Sequence, residues 1–237
     1  MNRAELLDAC VRGISFCTQM VQELPPRGIK GRTMRILKPE PVVSLSTCYG
    51  CEASNVPLWY DDEKGAIRCE ECGLGLLRAK PRHKAGDILY VRETFARQFD
   101  GLGPLIEYRA DWESRDRKAS GKINEYGFEV PRWHPSIHMP RAAARTFIRI
   151  TGVKAQRPQE LYPQEILAEG ITCDLLETCG AHDCEDCKVL GLVGCICHDK
   201  WARLWDSLRS KEDLPKYGYE ANPLCWCYEF EVVPYES

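Results

Sequence analysis

The sequence has no uninterrupted apolar run of about 18 residues, the length that a membrane-spanning helix requires. Its first stretch, MNRAELLDACVRGISF, contains acidic residues and lacks the apolar core of a secretion signal. Positive charge is also in the minority, since 32 Lys and Arg face 35 Asp and Glu. We therefore expect a cytoplasmic protein without a membrane partner, and one that cannot attract polyanions through its net charge.

Cysteine, in contrast, is abundant, with 14 in the chain, and clustered cysteines in a cytoplasmic protein favour metal binding over disulfides. The first cluster, Cys48-Tyr-Gly-Cys51 and Cys69-Glu-Glu-Cys72, has the paired C-x2-C spacing of a zinc ribbon. The stretch between the pairs predicts a small hairpin that turns at residues 61–65. Because four thiolates close the coordination sphere, we expect this zinc to be structural.

A second cluster offers more ligands than one metal needs. In chain order they are Cys179, Cys184, Cys187, Cys195, Cys197 and His198. The first three leave the choice of the fourth ligand open among the last three. The opening C-x4-C-x2-C also matches plant-type iron–sulfur spacing, but the next cysteines follow too closely and nothing else indicates electron transfer. We predict a second zinc site here.

One short segment reverses the charge of the chain. Residues 25–39, PPRGIKGRTMRILKP, contain no acidic residue and these basic ones: Arg27, Lys30, Arg32, Arg35 and Lys38. A local positive run in an acidic protein indicates an anionic ligand, although a solvated basic loop has the same composition. Lys30 and Thr33 stand three positions apart, a spacing that lets an amine and a hydroxyl share one site.

Hydrophobic patterning predicts a mixture of strands and short helices. Strands are expected at 34–37, 88–91, 146–153 and 224–232, and Cys225 and Cys227 in the last of these are expected to pack as small apolar residues. Residues 163–168 predict a short helix with Glu169 in its last turn. An amphipathic helix is expected to pack a stripe of apolar side chains into the core: Trp201, Leu204, Trp205 and Leu208.

Several of these segments together resemble the ASCH family, PUA-like β-barrel proteins of bacteria and phages. Phage-type members carry GRKTQTRRxxKPQP, to which residues 28–41 are similar, and GDxLWVRE, to which residues 86–93 are similar. Residues 133–145 resemble the family's WRPSIHMPRxASR segment. Residues 168–171, 201–207 and 222–230 resemble its AEGI, FxxLWDS and NPWVWVYEF elements. The resemblance covers both ends and most of the middle, but neither cysteine cluster.

The resemblance implies an α+β fold, a PUA-like (ASCH) β-barrel with flanking short helices and two cysteine-rich zinc-binding insertions. The barrel domain would comprise residues 1–44, 81–172 and 199–237. The zinc ribbon would be an insertion at 45–80, and the second cluster an insertion at 173–198.

The resemblance also implies a chemistry. A small bacterial ASCH protein with a similar loop is an amidohydrolase that removes the acetyl group from N4-acetylcytidine, and its proposed catalytic residues match Lys30, Thr33 and Glu169. Thr33 would be the nucleophile or would place a water, Lys30 would be the activating base, and Glu169 would protonate the leaving amine. The expected substrate is an N4-acylated cytidine, free or within a nucleic acid.

Other residues are predicted to hold the substrate. They are Arg32 and Arg35, whose guanidinium groups suit a phosphate or a base edge, and Tyr90 and Trp133, which could stack on a base. Two alternatives remain at this point. A PUA-like barrel could read RNA, DNA or a modified base without chemistry. A phage or mobile-element protein could also keep the barrel only as a scaffold for binding a host protein.

Overall fold

The computed structural model describes residues 1–16, 18–22, 24–25, 30–37, 50–52, 58–99, 104–112, 131–171 and 196–235. Within them the protein is a mixed α+β structure with short helices and three sheets, which confirms the predicted class. The chain divides into two compact units. Unit 1 comprises Met1–Ile29, Gly86–Ile150 and Glu231–Ser237, and unit 2 comprises Lys30–Ala85 and Thr151–Phe230. The predicted insertion boundaries stay a prediction.

The regular elements are short apart from two strands and one helix. In chain order they are α1 (Arg3–Ala9), β1 (Arg12–Ser15), α2 (Thr18–Gln22), β2 (Arg32–Ile36), β3 (Leu58–Asp61), β4 (Ala66–Cys69), β5 (Gly75–Arg78), β6 (Ile88–Arg92), β7 (Phe95–Phe99), β8 (Pro104–Tyr108), β9 (Phe147–Gln156), α3 (Pro163–Ala168), α4 (Ile196–Ser207), α5 (Leu214–Tyr217) and β10 (Cys225–Val232). The predicted strands at 34–37, 88–91, 146–153 and 224–232 and the predicted helix at 163–168 are confirmed.

The largest sheet has the strand order β1-β6-β9-β10-β2. Strand β1 runs parallel to β6, and β6 pairs antiparallel with the first residues of β9. At the other edge β2 pairs antiparallel with β10, so that Met34 lies opposite Cys227 and Thr33 opposite Tyr228. The long strands β9 and β10 each contribute residues to both units. Two smaller sheets are formed by β3-β4-β5 and by β7-β8.

Unit 1 has its own apolar core. Its buried side chains come from α1, the β6–β7 region, the 139–147 segment and the end of the chain; they include Leu6, Tyr90, Phe95, Met139 and Phe147. Helix α1 begins with a capping box, in which Asn2 and Glu5 each accept a hydrogen bond from the other's backbone N–H. The cap satisfies two amides that a helix leaves unbonded at its start.

Unit 2 builds its core on one face of the β2–β10 pair. Helices α3 and α4 cover Met34, Cys225 and Cys227 with side chains that include Trp201 and Trp205. Both cysteines are buried, which confirms that they serve as packing residues. The prediction for Leu208 was wrong: α4 ends at Ser207, so the helical stripe stops before this residue, and Leu208 is 44% exposed.

Among the described residues, no helix has both the length and the apolar character needed to cross a membrane.

Candidate functional site

Lys30 and Glu169 meet at the end of α3. The helix ends at Ala168, Glu169 caps it, and Gly170 follows with a φ of 87°. Lys30 Nζ donates to the backbone oxygen of Glu169 at 2.5 Å and to its Oε2 at 3.1 Å. The backbone N–H of Gly31 donates to the backbone oxygen of Ala168 at 3.0 Å. Residues 30 and 31 therefore satisfy two of the carbonyls that a helix leaves unbonded at its C-terminus.

Both partners of this ion pair are buried, since Lys30 is 0% exposed and Glu169 is 1% exposed. Removing two charges from water costs free energy that only a close, well-bonded partner offsets. The second carboxylate oxygen of Glu169, Oε1, is also buried and has no hydrogen-bond partner in the part of the chain that the structure describes. Because buried polar atoms are nearly always bonded, we expect this oxygen to bond a water, a ligand group or a residue outside the described ranges.

A second ion pair lies beside the first. Arg32 Nη1 donates to Glu165 Oε1, and Arg32 Nη2 donates to Gln156 Oε1. Lys154 Nζ also reaches Glu165 Oε1, at 2.9 Å. Burial opposes the ionisation of Glu165, but the bonds from Lys154 and from the backbone N–H of Tyr162, together with the charge of Arg32, lower the pKa of Glu165 to about 2. Arg32, predicted to hold substrate, is thus bonded within the protein.

Thr33 and Arg35 form a separate contact on β2. Successive strand residues point to opposite faces of a sheet, so Thr33 points away from the face of Arg32 and Met34. Thr33 is buried and lies opposite Tyr228, and its Oγ1 accepts a hydrogen bond from Arg35 Nη1 at 2.7 Å. The structure therefore brings the predicted residues together in two groups, Lys30 with Glu169 and Thr33 with Arg35.

The two predicted stacking residues belong to unit 1. Tyr90 is buried on β6 with Arg92, whose Cζ lies 5.5 Å from the ring centroid and whose Nη2 donates to the tyrosine hydroxyl at 3.2 Å. Trp133 packs edge-to-face against Trp112, with ring centroids 5.6 Å apart. Both rings make contacts within the protein, and their role in substrate binding stays a prediction.

The first cysteine cluster forms a group that could bind a metal ion. The Sγ atoms of Cys51, Cys69 and Cys72 all lie within 4.8 Å of one another. Cys51 and Cys69 are 3.8 Å apart at sulfur, far beyond the roughly 2.05 Å of a disulfide bond. Thiolates bound to tetrahedral zinc at about 2.3 Å are separated by about 3.8 Å, so this distance fits a shared ion. Cys48 lies outside the described residues.

The backbone around this group has the same feature in both halves. The residue after each second cysteine has a positive φ: Glu52 at 58° and Gly73 at 71°. Gly73 N–H donates to the oxygen of Cys69 at 2.9 Å, and Cys69 N–H donates to the oxygen of Leu74 at 3.0 Å. The predicted hairpin is confirmed, because β3 and β4 pair antiparallel across a turn at residues 62–65. In both halves, a residue with a left-handed backbone thus follows a cysteine whose sulfur belongs to the group.

Most of the ligands predicted for the second zinc lie outside the described residues. The positions Cys179, Cys184, Cys187 and Cys195 lie outside the described residues, and Cys197 is described only as part of the backbone of α4. His198 Nδ1 lies 3.3 Å from the hydroxyl of Tyr219. Burial lowers the pKa of His198, which favours the neutral ring that a metal ligand needs.

Sequence reasoning missed the partners of Arg32. Glu165 precedes Glu169 by four positions, so both carboxylates lie on one face of α3, and this spacing is visible in the sequence. Lys154 and Gln156 come from one face of β9 and reach the same carboxylate. Their involvement depends on how β9, β2 and α3 pack, which periodicity alone does not specify.

In comparisons with protein-family models, curated proteins and solved structures, nothing matches this chain.

Proposed function

We propose that this chain is an ASCH-type protein with a PUA-like barrel that hydrolyses the amide of an N4-acylated cytidine. Lys30 and Glu169 would carry the proton transfers, Thr33 would supply or place the nucleophile, and Arg35 would hold the substrate. The proposal draws on the sequence resemblance for the substrate and on the Lys30–Glu169 contact for the chemistry. Products would be the free cytidine and the carboxylate of the acyl group.

The observation that carries the proposal is the direct contact between an amine and a carboxylate in a buried site. At 3.1 Å between Lys30 Nζ and Glu169 Oε2, a proton can pass from one group to the other. Such a transfer converts the ion pair into a neutral amine and a carboxylic acid. The pair then holds the base and the acid that amide hydrolysis needs.

The steps follow from these roles. Because Lys30 and Thr33 lie in separate contact groups, the nucleophile that fits best is a water placed by Thr33, and a neutral Lys30 takes its proton as the water oxygen attacks the acyl carbon. If the Thr33 hydroxyl attacked instead, a water would then have to hydrolyse the Thr33 ester to release the acyl group as its carboxylate. The acid form of Glu169 gives its proton to the exocyclic nitrogen as the C–N bond breaks. Glu169 Oε1, unbonded within the described residues, is the oxygen of the pair left to meet a substrate group.

We further propose that zinc occupies the first cysteine cluster, bound by Cys48, Cys51, Cys69 and Cys72, and that a second zinc is bound within residues 179–198. With four thiolate ligands the first site has no open position for a substrate, so its role is to hold the β3–β5 sheet together. Neither zinc takes part in the hydrolysis.

The test is incubation of purified protein with N4-acetylcytidine and related acylated cytidines, followed by chromatography. We expect wild type and Glu231→Gln to release cytidine, because Glu231 is an exposed residue paired with Arg149. Lys30→Met and Glu169→Gln should release none. If folded wild-type protein with its metal content intact releases nothing from any of these substrates, the hydrolase proposal is wrong.

One observation favours a second candidate function, recognition of a modified base or nucleic acid without chemistry. The bonds that Lys30 makes are those of an ammonium capping the C-terminus of α3, a role that a purely structural lysine also fills. A reader would bind cytidine derivatives or RNA in a titration, lose affinity in Arg35→Ala, and show no turnover.

A further inference from the structure

Two ion pairs connect α3 to the start of β2, and their order along the two segments is antiparallel. Lys30 pairs with Glu169, and Arg32, two positions along, pairs with Glu165. The two carboxylates are four positions apart and share one face of the helix. All four residues belong to unit 2.

The two glutamates differ in how fully they are bonded. Glu165 Oε1 accepts from Arg32 and from Lys154, and its Oε2 accepts from Gln156 Nε2 at 3.0 Å and from the backbone N–H of Tyr162 at 3.0 Å. Both of its oxygens are therefore occupied. Glu169, in contrast, keeps one buried oxygen that no described residue bonds. Glu165 therefore fixes the position of α3 through its bonds, whereas Glu169 has a carboxylate oxygen that can still bond a substrate group.

The bonds of Glu165 are needed to place α3, because a helix this short is not stable without contacts to the rest of the protein. The helix has six residues. Isolated helices below about 12 residues are marginal, so the placement of this one depends on its contacts with the sheet. Charge-assisted bonds from a planar guanidinium give both strength and a defined direction.

We propose that Arg32 and Glu165 are positioning residues that hold α3 in the register at which the Glu169 carboxylate meets Lys30 Nζ. Lys154 and Gln156 support the arrangement from β9. Arg32 acts through Glu165 and does not contact the substrate, which replaces the role that the basic run in the sequence indicated for it. The catalytic consequence rests on the proposed hydrolase function, but the positional consequence does not.

The positional consequence can be measured without any substrate. In protein labelled with 15N-lysine, a buried, hydrogen-bonded Lys30 ammonium should give a resolved 1H–15N signal that is missing in Lys30→Arg. We expect this signal to shift or disappear in Glu165→Gln. A matched control is Glu160→Gln, the same chemical change at a carboxylate that is 41% exposed just before α3, which should leave the signal in place.

Two further variants separate positioning from loss of fold. Arg32→Lys keeps the charge, so it should retain the Lys30 signal better than Arg32→Met. The double variant Arg32→Met/Glu165→Leu removes both charges together, and such replacements of paired buried charges are commonly tolerated. It should fold and still lose the signal. A Lys30 signal unchanged from wild type in folded Glu165→Gln or in the double variant would overturn the proposal, as would the absence of the signal from wild type.

Measuring kcat and KM gives a second, independent test of the positioning role. If wild type hydrolyses acylated cytidines, Glu165→Gln should lower kcat by about 10²-fold with little change in KM, as a small displacement of a catalytic group does. A raised KM with unchanged kcat would instead make Arg32 and Glu165 substrate contacts and overturn the positioning role. If wild type has no activity, the hydrolase proposal fails, and the Lys30 signal alone decides the positioning proposal.

Discussion

Lys30 Nζ bonds two oxygens of the same residue, the backbone oxygen and the carboxylate of Glu169, at 2.5 and 3.1 Å. One amine thus completes the hydrogen bonds at the end of α3 and neutralises the charge that follows it. A catalytic lysine in this position would have to release a proton without losing the helix end. The contact with Glu169 offers a route, because the proton that leaves the amine can stay within the pair.

The stability of unit 2 should fall when one member of this pair is removed and recover when both are removed. Lys30→Met leaves Glu169 buried without its partner, and removing one member of a buried ion pair costs about 3–5 kcal/mol. Lys30→Met/Glu169→Met removes both charges and should recover most of that loss in the free energy of unfolding. Urea titration followed by circular dichroism measures both variants.

The double variant also separates fold from chemistry. It should be stable and inactive toward acylated cytidines, whereas an inactive single variant could simply be unfolded. Recovery of activity in the double variant would contradict a catalytic role for the pair.

Acid should weaken the protein partly through Glu165. Its pKa falls from an ordinary 4.5 to about 2 on folding, so its contribution is present above the unfolded value and is lost as the pH drops through the folded value. The shift corresponds to about 3 kcal/mol of stability at neutral pH. We expect the free energy of unfolding to fall between about pH 5 and pH 2. The fall should be smaller in Glu165→Gln than in wild type. Equal acid sensitivity in wild type and Glu165→Gln would contradict the assignment.

Local sequence patterns predicted several strands and one hairpin correctly. Alternation placed β10, β-branched residues placed β9, and the C-x2-C pairs with a turn between them placed the β3–β4 hairpin. The end of α4 was misjudged because the apolar spacing of Leu208 continues past the residue at which the helix stops. The positive φ of Glu52 could not be foreseen, since glutamate gives no sign of a left-handed backbone.

The bonding of Arg32 could not be predicted for a different reason. A basic run in an acidic chain indicates a ligand, but it does not reveal acids that are distant in sequence and adjacent in space. Glu165 lies 133 positions from Arg32. Strand alternation likewise separates Thr33 from the face of Arg32, although the two residues are neighbours in the chain.

Unit 1 contains a buried ion pair that should contribute more to the free energy of unfolding than the exposed ion pairs of the same unit. Arg145 bonds both oxygens of Glu93, at 3.0 and 2.7 Å, and Glu93 is 1% exposed. Burial opposes the charge of Arg145, but its bonds to Glu93 and to Asp111 raise the pKa of Arg145 further above its usual range. Arg145→Met should therefore lower the free energy of unfolding by about 3–5 kcal/mol.

The matched control for Arg145 lies four positions further along. Arg149 also pairs with a glutamate, Glu231, but both side chains are substantially exposed, at 43% and 56%. Arg149→Met should cost no more than about 1 kcal/mol, because exposed ion pairs contribute little. Similar losses in the two variants, measured by the same urea titration, would show that the bonding to Glu93 has no special weight.

Gly73 and Glu52 share a left-handed backbone conformation, but substitutions at the two positions should change the stability of the cysteine site in opposite directions. Gly73 has a φ of 71°, so Gly73→Ala should destabilise the site, since a left-handed backbone costs a residue with a Cβ about 1–2 kcal/mol. Glu52 has a φ of 58°, so Glu52→Gly should relieve that strain and stabilise the site. Competition for zinc with a chromophoric chelator measures both effects. Equal zinc affinities for wild type and the two variants would contradict the left-handed backbone conformation of Glu52 and Gly73.

Metal content decides whether these turns surround an ion at all. Elemental analysis of purified protein should find zinc, and Cys69→Ala should lose it, because Cys69 is the buried member of the three described sulfur ligands. Cys10→Ala is the control, since Cys10 is a buried cysteine of unit 1 with no place in the group. Removing the metal with a chelator should expose the β3–β5 sheet to proteolysis, because a structural zinc contributes to the stability of the fold. Full resistance of the metal-free protein would mean that the hairpin holds together without an ion, and the cysteines would then need another explanation.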